Sequence, residues 1–106
     1  MQGKNNRMKL SRDEALQVFR AIKREGLWQT YHFAKRAQER RFSMEDVFEV
    51  AENGVMSRKS PTYKPEHDDW SYTIVGKDMD GNRIRIVFVI TSDRRVKLIT
   101  GYKSNL

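Results

Sequence analysis

The sequence contains no cysteine among its 106 residues. Disulfide bonds, cysteine-based zinc sites and thiol nucleophiles are therefore excluded, and the absence fits a reducing compartment. No apolar run is long enough to cross a bilayer, and the N-terminal segment MQGKNNRMKL lacks the apolar stretch of a secretion signal. We therefore expect a cytoplasmic protein that makes no membrane contact.

The motifs of several enzyme classes are also missing. No Gly-rich phosphate loop and no nucleophile elbow occurs, so neither ATP-dependent chemistry nor hydride transfer has support. The stretch DMDGN (78–82) resembles the start of a calcium loop, but the required glutamate would fall at Val89. His67 stands beside Asp68 and Asp69 without a second histidine nearby. We expect no metal ion and no other cofactor.

Positive charge is in excess, with 21 Lys and Arg against 14 Asp and Glu and a formal net charge of +7. This balance favours partners that carry phosphates or carboxylates, although a solvated basic surface would have the same composition. The hydrophobic fraction of 38% and its periodic patterns indicate a folded chain. We expect a frayed tail over residues 1–8 and a single domain over residues 9–106.

Three segments follow the helical period. Ser11 and the glutamate three residues later have capping-box spacing, and the first helix is expected to continue to Gly26. After a short extended link, LWQTY, a second helix is predicted over YHFAKRAQER (31–40). The third is predicted to begin at Ser43 and to end at Gly54, in a C′ position.

After the third helix the pattern changes to the alternation of strands. WSYTIVGK, NRIRIVFVI and VKLITGY predict three strands, with a hairpin turn at Asp80-Gly81 and a further short strand from Val55. SPTYKPEHDD is expected to be a polar loop. In the middle strand one face is apolar throughout, whereas the other begins with Arg83 and Arg85. The order predicts an α+β fold: two to three N-terminal helices packed on one face of an antiparallel sheet of about four strands.

The segment YHFAKRAQERRFS contains the main functional candidates. His32, Arg36 and Arg40 are four residues apart, so a helix places them in one row. A row of one imidazole and two guanidinium groups favours a bound anion, because the planar guanidinium matches the spacing of phosphate oxygens. The histidine can also exchange a proton near neutral pH. Lys35 adds charge nearby. A structural alternative is that Glu39 or the acidic third helix pairs with the arginines.

The last strand contributes a second group of candidates. Thr100 and Tyr102 fall on one face, and Lys103 adds charge, so that together they could hold a phosphate or a ribose. Arg85, at the basic end of the middle strand, is a further candidate. Ordinary strand propensity explains the threonine and the tyrosine equally well. Trp28 could stack on unpaired bases, or pack in the core.

The order and spacing of these residues resemble a small bacterial family that is catalogued as domain of unknown function 4258. The pattern HAxxRxxxRxI is followed by a serine-capped helix, a glycine and a closing ITxY-like strand. Phe33 and Phe42 replace its alanine and isoleucine, and both remain apolar. The resemblance covers roughly residues 28–102 and rests on His32, Arg36, Arg40, Ser43, Asp46, Val47, Gly54, Ile99, Thr100 and Tyr102.

This resemblance implies the RelE/barnase-like fold group, in which many members are metal-independent ribonucleases and often toxins of toxin–antitoxin pairs. It suggests an endoribonuclease that cleaves RNA by 2′-hydroxyl attack. The alternative is a non-catalytic basic module that binds nucleic acid or an acidic protein, such as an antitoxin. For the enzyme, the catalytic candidates are His32, Arg36, Arg40 and Tyr102, and the substrate-binding candidates are Lys35, Arg85, Thr100 and Lys103.

Overall fold

The computed structural model describes residues 9–22, 24–65 and 69–104, so the predicted tail over residues 1–8 lies outside the described residues. No helix in these ranges is long and apolar enough to span a membrane. A single 3-10 turn, Arg24–Gly26, precedes the first strand. The other elements are α1 (Arg12–Ala21), β1 (Leu27–Gln29), α2 (Tyr31–Arg40), α3 (Met44–Asn53), β2 (Val55–Met56), β3 (Thr62–Lys64), β4 (Asp69–Lys77), β5 (Arg83–Ile90) and β6 (Val96–Ser104).

Each helix begins at a hydroxyl side chain that caps it. The Ser11 hydroxyl accepts the Glu14 N–H at 3.1 Å, and the Glu14 carboxylate accepts the Ser11 N–H at 3.1 Å. Ser43 and Asp46 form the same reciprocal arrangement at the start of α3. The capping box predicted at Ser11 and the helix start predicted at Ser43 are therefore both present, and the two capping boxes satisfy backbone donors that a helix start leaves without partners.

The sheet is mixed, with the strand order β1-β6-β5-β4-β2, and β3 pairs with β4 as well. β4, β5 and β6 form the antiparallel meander that the alternating pattern predicts. β1 adds a parallel pair, in which Leu27 lies opposite Val96 and Gln29 opposite Leu98. The α+β class is confirmed. The sheet has six strands rather than about four, because LWQ and TYK, assigned from sequence to a link and a loop, form β1 and β3.

All three helices pack on the same face of the sheet, as predicted. The Phe19 ring of α1 stacks on Phe88 of β5 with centroids 4.4 Å apart. At the end of α3, a Cβ on Gly54 would lie 2.9 Å from the Ile74 side chain of β4. α2 covers β6, where Gly101 faces Phe33 of α2. Burying this apolar layer is the main source of stability for the fold.

A β-bulge in β6 determines which side chains reach the opposite face. Val87 of β5 lies opposite Thr100, but its neighbour Phe88 lies opposite Leu98, so Ile99 is an extra residue. Because the alternation restarts after the bulge, Thr100 and Tyr102 face away from the helices. We call this helix-free side of the sheet the open face.

Candidate functional site

The start of α2 is tied directly to the bulge in β6. The Thr30 N–H donates to the Leu98 carbonyl at 3.1 Å, and the Thr30 hydroxyl reaches the Leu98 and Ile99 carbonyl oxygens at 2.9 and 3.1 Å. The same hydroxyl accepts the Phe33 N–H at 3.1 Å and so caps the helix. One threonine therefore both starts α2 and fixes its position along β6.

His32, Arg36 and Arg40 form the predicted row on α2, beside the buried Phe33. His32 is exposed, whereas Arg36 and Arg40 are partly buried. The Arg36 Nη1 lies 3.4 Å from the Glu39 Oε1, which is the expected structural pairing, but both side chains stay accessible and such pairs are weak. Within the described part of the chain, His32 has no hydrogen bond or ion pair, so its imidazole is open to solvent.

Arg40 connects the row with the open face. Its guanidinium carbon lies 5.7 Å from the centroid of the Tyr102 ring, and Tyr102 is 44% exposed. Tyr102 lies opposite Arg85, which is also exposed. Arg40 therefore reaches round the edge of β6, and the fold brings together three residues proposed from sequence: Arg40, Tyr102 and Arg85.

A shallow depression of about 340 Å³ lies at the C-terminal end of α2. Its lining consists of Glu39, Arg40, Arg41 and Lys103. Three of these four side chains are cationic, so the depression suits a small anion such as a phosphate.

Comparison with protein-family models matches residues 29–103 to the family described as Domain of unknown function (DUF4258). The chain belongs to this family. The match begins at the end of β1 and includes both α2 and β6, so every candidate residue of the site lies inside it. Comparison with curated proteins gives no match, and comparison with solved structures gives none.

In this DUF4258 domain Lys103 already has partners. Its Nζ lies 3.2 Å from the Asp78 Oδ2 and 3.2 Å from the Arg41 carbonyl oxygen, and only 15% of its side chain is exposed. Lys103 lies opposite Ile84, on the helix side of the sheet. A role in substrate binding remains a prediction, and the observed contacts join β6 to the β4–β5 turn.

Asp78 is held as a carboxylate by these contacts. Burial acts to raise the pKa of Asp78, but hydrogen bonds from the Asn82 N–H and from the Lys103 ammonium outweigh it and hold the pKa below the ordinary value of 3.8. The Asn82 N–H bond to Oδ1 is 2.7 Å long. Asp78, the first aspartate of the DMDGN turn, therefore has a structural role in that turn.

The other two substrate-binding candidates occupy different surroundings. Thr100 lies on the open face but is 8% exposed, and its hydroxyl has no hydrogen-bond partner in the described ranges. Lys35 is exposed and, two residues after the buried Phe33, lies on the solvent side of α2. The fold therefore does not bring Lys35 to Tyr102, and Thr100 needs a neighbouring side chain to move before it can contact a ligand.

Two basic residues of the DUF4258 domain escaped the sequence-based prediction. Lys97 lies opposite Trp28 of β1, and the Arg95 guanidinium lies 5.6 Å from the centroid of the Trp28 ring. Trp28 is 47% exposed. The alternation of RVKLIT was the available signal, since it places Arg95 and Lys97 on the face opposite Val96 and Leu98.

No cluster of three or more metal-binding side chains occurs among the described residues. His67 and Asp68, which were considered from sequence, lie outside those ranges.

Proposed function

We propose that this chain is a metal-independent endoribonuclease whose active site is the row on α2. The observation that supports this best is the exposed imidazole of His32, which has no hydrogen-bond partner among the described residues, at the head of a row of guanidinium groups. A nuclease of this kind needs a group that takes a proton near neutral pH and fixed cations that hold a phosphate. His32, Arg36 and Arg40 are of those types.

The row is long enough that its two ends would contact different nucleotides of the RNA. His32 and Arg40 are eight residues apart, which corresponds to about 12 Å along a helix axis. A single phosphate does not span that distance. In the proposed mechanism His32 and Arg36 therefore act on the scissile phosphate, while Arg40 and Tyr102 hold the neighbouring nucleotide.

Cleavage then proceeds by attack within the substrate. His32 accepts the proton of the ribose 2′-hydroxyl, and the 2′-oxygen forms a bond to the adjacent phosphorus. The bond from phosphorus to the 5′-oxygen breaks, and that oxygen takes a proton from water. Arg36 offsets the charge that grows on the non-bridging oxygens, which is usually the largest catalytic term. The products are a 2′,3′-cyclic phosphate and a 5′-hydroxyl end.

The direct test is incubation of the full chain with end-labelled single-stranded RNA in EDTA. His32→Ala is expected to slow cleavage about a hundredfold or more, because it removes the proton acceptor. Arg12→Ala is the matched control, since Arg12 is an exposed arginine at the start of α1, distant from the row. Cleavage by His32→Ala at the wild-type rate would rule out the mechanism. Cleavage of a 2′-O-methyl strand would also rule it out, because that strand has no 2′-hydroxyl to attack the phosphate.

One observation favours the non-catalytic alternative. Catalytic bases are commonly oriented by a further group, and no described residue bonds to His32. If wild-type chain binds RNA and leaves it intact, the chain is a basic binding module. Titration of the chain with RNA and, separately, with an acidic protein such as an antitoxin then shows which of the two is the better ligand.

A further inference from the structure

The open face is an extended basic surface with no described helix upon it. Arg83 and Arg85 project from β5, and Lys97 projects from β6. Arg83 and Arg85 are exposed and Lys97 is partly buried, and none of the three pairs with a carboxylate among the described residues. The only acidic neighbour on this face of β4 is Asp69, at the far edge, where it lies opposite Lys64. A polyanion would find unneutralised charge at both ends of the β5–β6 ladder.

Two exposed aromatic rings mark the ends of this surface along β6. Trp28 lies beside Lys97, and Tyr102 lies beside Arg85. Val89 and Arg85, which lie opposite Lys97 and Tyr102, are four residues apart in β5, so at about 3.3 Å per residue the two ends are roughly 13 Å apart. At about 3.4 Å per nucleotide, that span corresponds to roughly four stacked bases. Each ring already has a guanidinium over it, Arg95 over Trp28 and Arg40 over Tyr102, so a stacking base takes the other face of the ring or displaces the arginine.

Between the two rings the surface is neutral and partly apolar. Val87 and Thr100 lie opposite each other there, and neither is charged. Val87 is half-buried, whereas Thr100 is 8% exposed and becomes accessible only when a neighbouring side chain moves. Bases contact apolar and aromatic surface, whereas phosphates contact cations, so a strip with a ring and cations at each end fits a single strand better than a duplex. A duplex keeps its base faces inside the stack, so the two rings would have no base on which to stack.

We propose that the open face between Trp28 and Tyr102 binds single-stranded RNA by base stacking and leads the strand round the β6 edge to the row on α2. The substrate class rests on the proposed ribonuclease function, whereas the stacking surface rests on the exposure of the two rings. Arg40 forms the junction, because it belongs to the row and lies against Tyr102.

The test uses a 2′-O-methyl oligouridine, which binds but has no 2′-hydroxyl to attack, so binding is measured apart from cleavage. In a Trp70→Phe background Trp28 is the one remaining tryptophan. Titration at low salt is expected to quench its fluorescence, because stacking places a base on the ring. Trp28→Ala and Tyr102→Ala are each expected to weaken binding, measured by anisotropy of a labelled strand, about tenfold or more.

Two controls separate stacking from loss of fold or of bulk. Tyr102→Phe keeps the ring and is expected to retain most of the affinity that Tyr102→Ala loses. Tyr31→Ala removes a ring that is 83% exposed but lies on α2, two residues before the buried Phe33 and thus on its solvent side. It is expected to leave affinity unchanged. A circular dichroism spectrum of each variant that matches the wild type establishes that the fold is retained.

The proposal is overturned if Trp28→Ala and Tyr102→Ala both bind the strand with wild-type affinity, or if duplex RNA binds as tightly as the single strand. Failure of the ribonuclease hypothesis is a separate result. RNA that binds and quenches Trp28 without being cut refutes catalysis and leaves the stacking surface standing. RNA that is cut with His32 dependence but without any effect of the two rings refutes the stacking surface alone.

Discussion

At the scale of single residues, Gly101 is what allows the candidate site to assemble. A Cβ at this position would lie 2.5 Å from the Phe42 Cζ and 3.3 Å from the Phe33 Cε2. Phe33 and Phe42 meet edge to face, with centroids 5.6 Å apart, and are both buried. The missing side chain therefore lets α2 approach β6 closely, and that approach is what puts Arg40 beside Tyr102.

Gly101→Ala is accordingly expected to destabilise the fold by about 1–3 kcal/mol through overpacking. The measurement is the free energy of unfolding in urea. The Phe42→Leu change removes the ring that collides with the new methyl group, so its own cost should be smaller in the Gly101→Ala background than in the wild type. Strictly additive costs in this double-mutant cycle would contradict the close contact.

At the scale of elements, the Asp78–Lys103 pair joins the end of β6 to the β4–β5 turn. The pKa of Asp78 is lower in the folded chain than the ordinary value of 3.8, so folding favours its carboxylate form. The resulting stabilisation is complete above about pH 5 and is lost as the pH falls through the folded-state pKa.

Asp78→Asn is therefore expected to cost about 2–4 kcal/mol of unfolding free energy near pH 7, because it leaves the Lys103 ammonium without its counter-ion. The difference between variant and wild type should shrink as the pH falls below 3.8 and through the folded-state pKa of Asp78, because the wild-type carboxyl then becomes protonated itself. Asp80→Asn is the matched control, since Asp80 is exposed in the same turn. If Asp78→Asn lowers the free energy of unfolding equally at neutral and at acid pH, the ion pair does not contribute to stability.

The elements that sequence predicted well are those with a local cause. The hydroxyls of Ser11 and Ser43 cap helices by accepting the backbone N–H three residues later, and the alternation in β5 needs no knowledge of the rest of the chain. Helix ends were predicted less accurately than helix starts. α1 ends at Ala21 instead of continuing to Gly26, which lies in a separate 3-10 turn. Gly54 follows α3 as predicted but has φ −81°, so close packing on Ile74 and not a left-handed turn explains the glycine.

The features that sequence missed depend on pairing between distant segments. β1 is three residues long and is fixed by a parallel partner about 70 residues later in the chain, which no local pattern reveals. The row on α2 followed from helical spacing alone. That Tyr102 shares a surface with Arg40 became apparent only once the strand register and the packing of α2 were known. Lys103 is different, because the alternation that puts Thr100 and Tyr102 on one face already places Lys103 on the other.

At the scale of the whole molecule, the net charge of +7 could attract nucleic acid to the entire surface of the domain or mainly to one face. The basic side chains are distributed over α1, α2, the β2–β3 segment and the open face, so charge alone attracts nucleic acid without selecting where it lies. Salt dependence separates the two cases, because each phosphate contact to a single strand adds about 0.7 to the steepness of log affinity against log salt concentration.

Arg85→Ala is expected to weaken binding of the 2′-O-methyl strand and to reduce the salt slope by about 0.7, since it removes one phosphate contact on the open face. Arg12→Ala deletes the same charge from α1 and should leave the slope unchanged. Trp28→Ala should weaken binding at every salt concentration while keeping the wild-type slope, because stacking releases no counter-ions. If Arg12→Ala lowers the slope as much as Arg85→Ala does, RNA is held by the overall charge of the domain and the open face has no special part in binding.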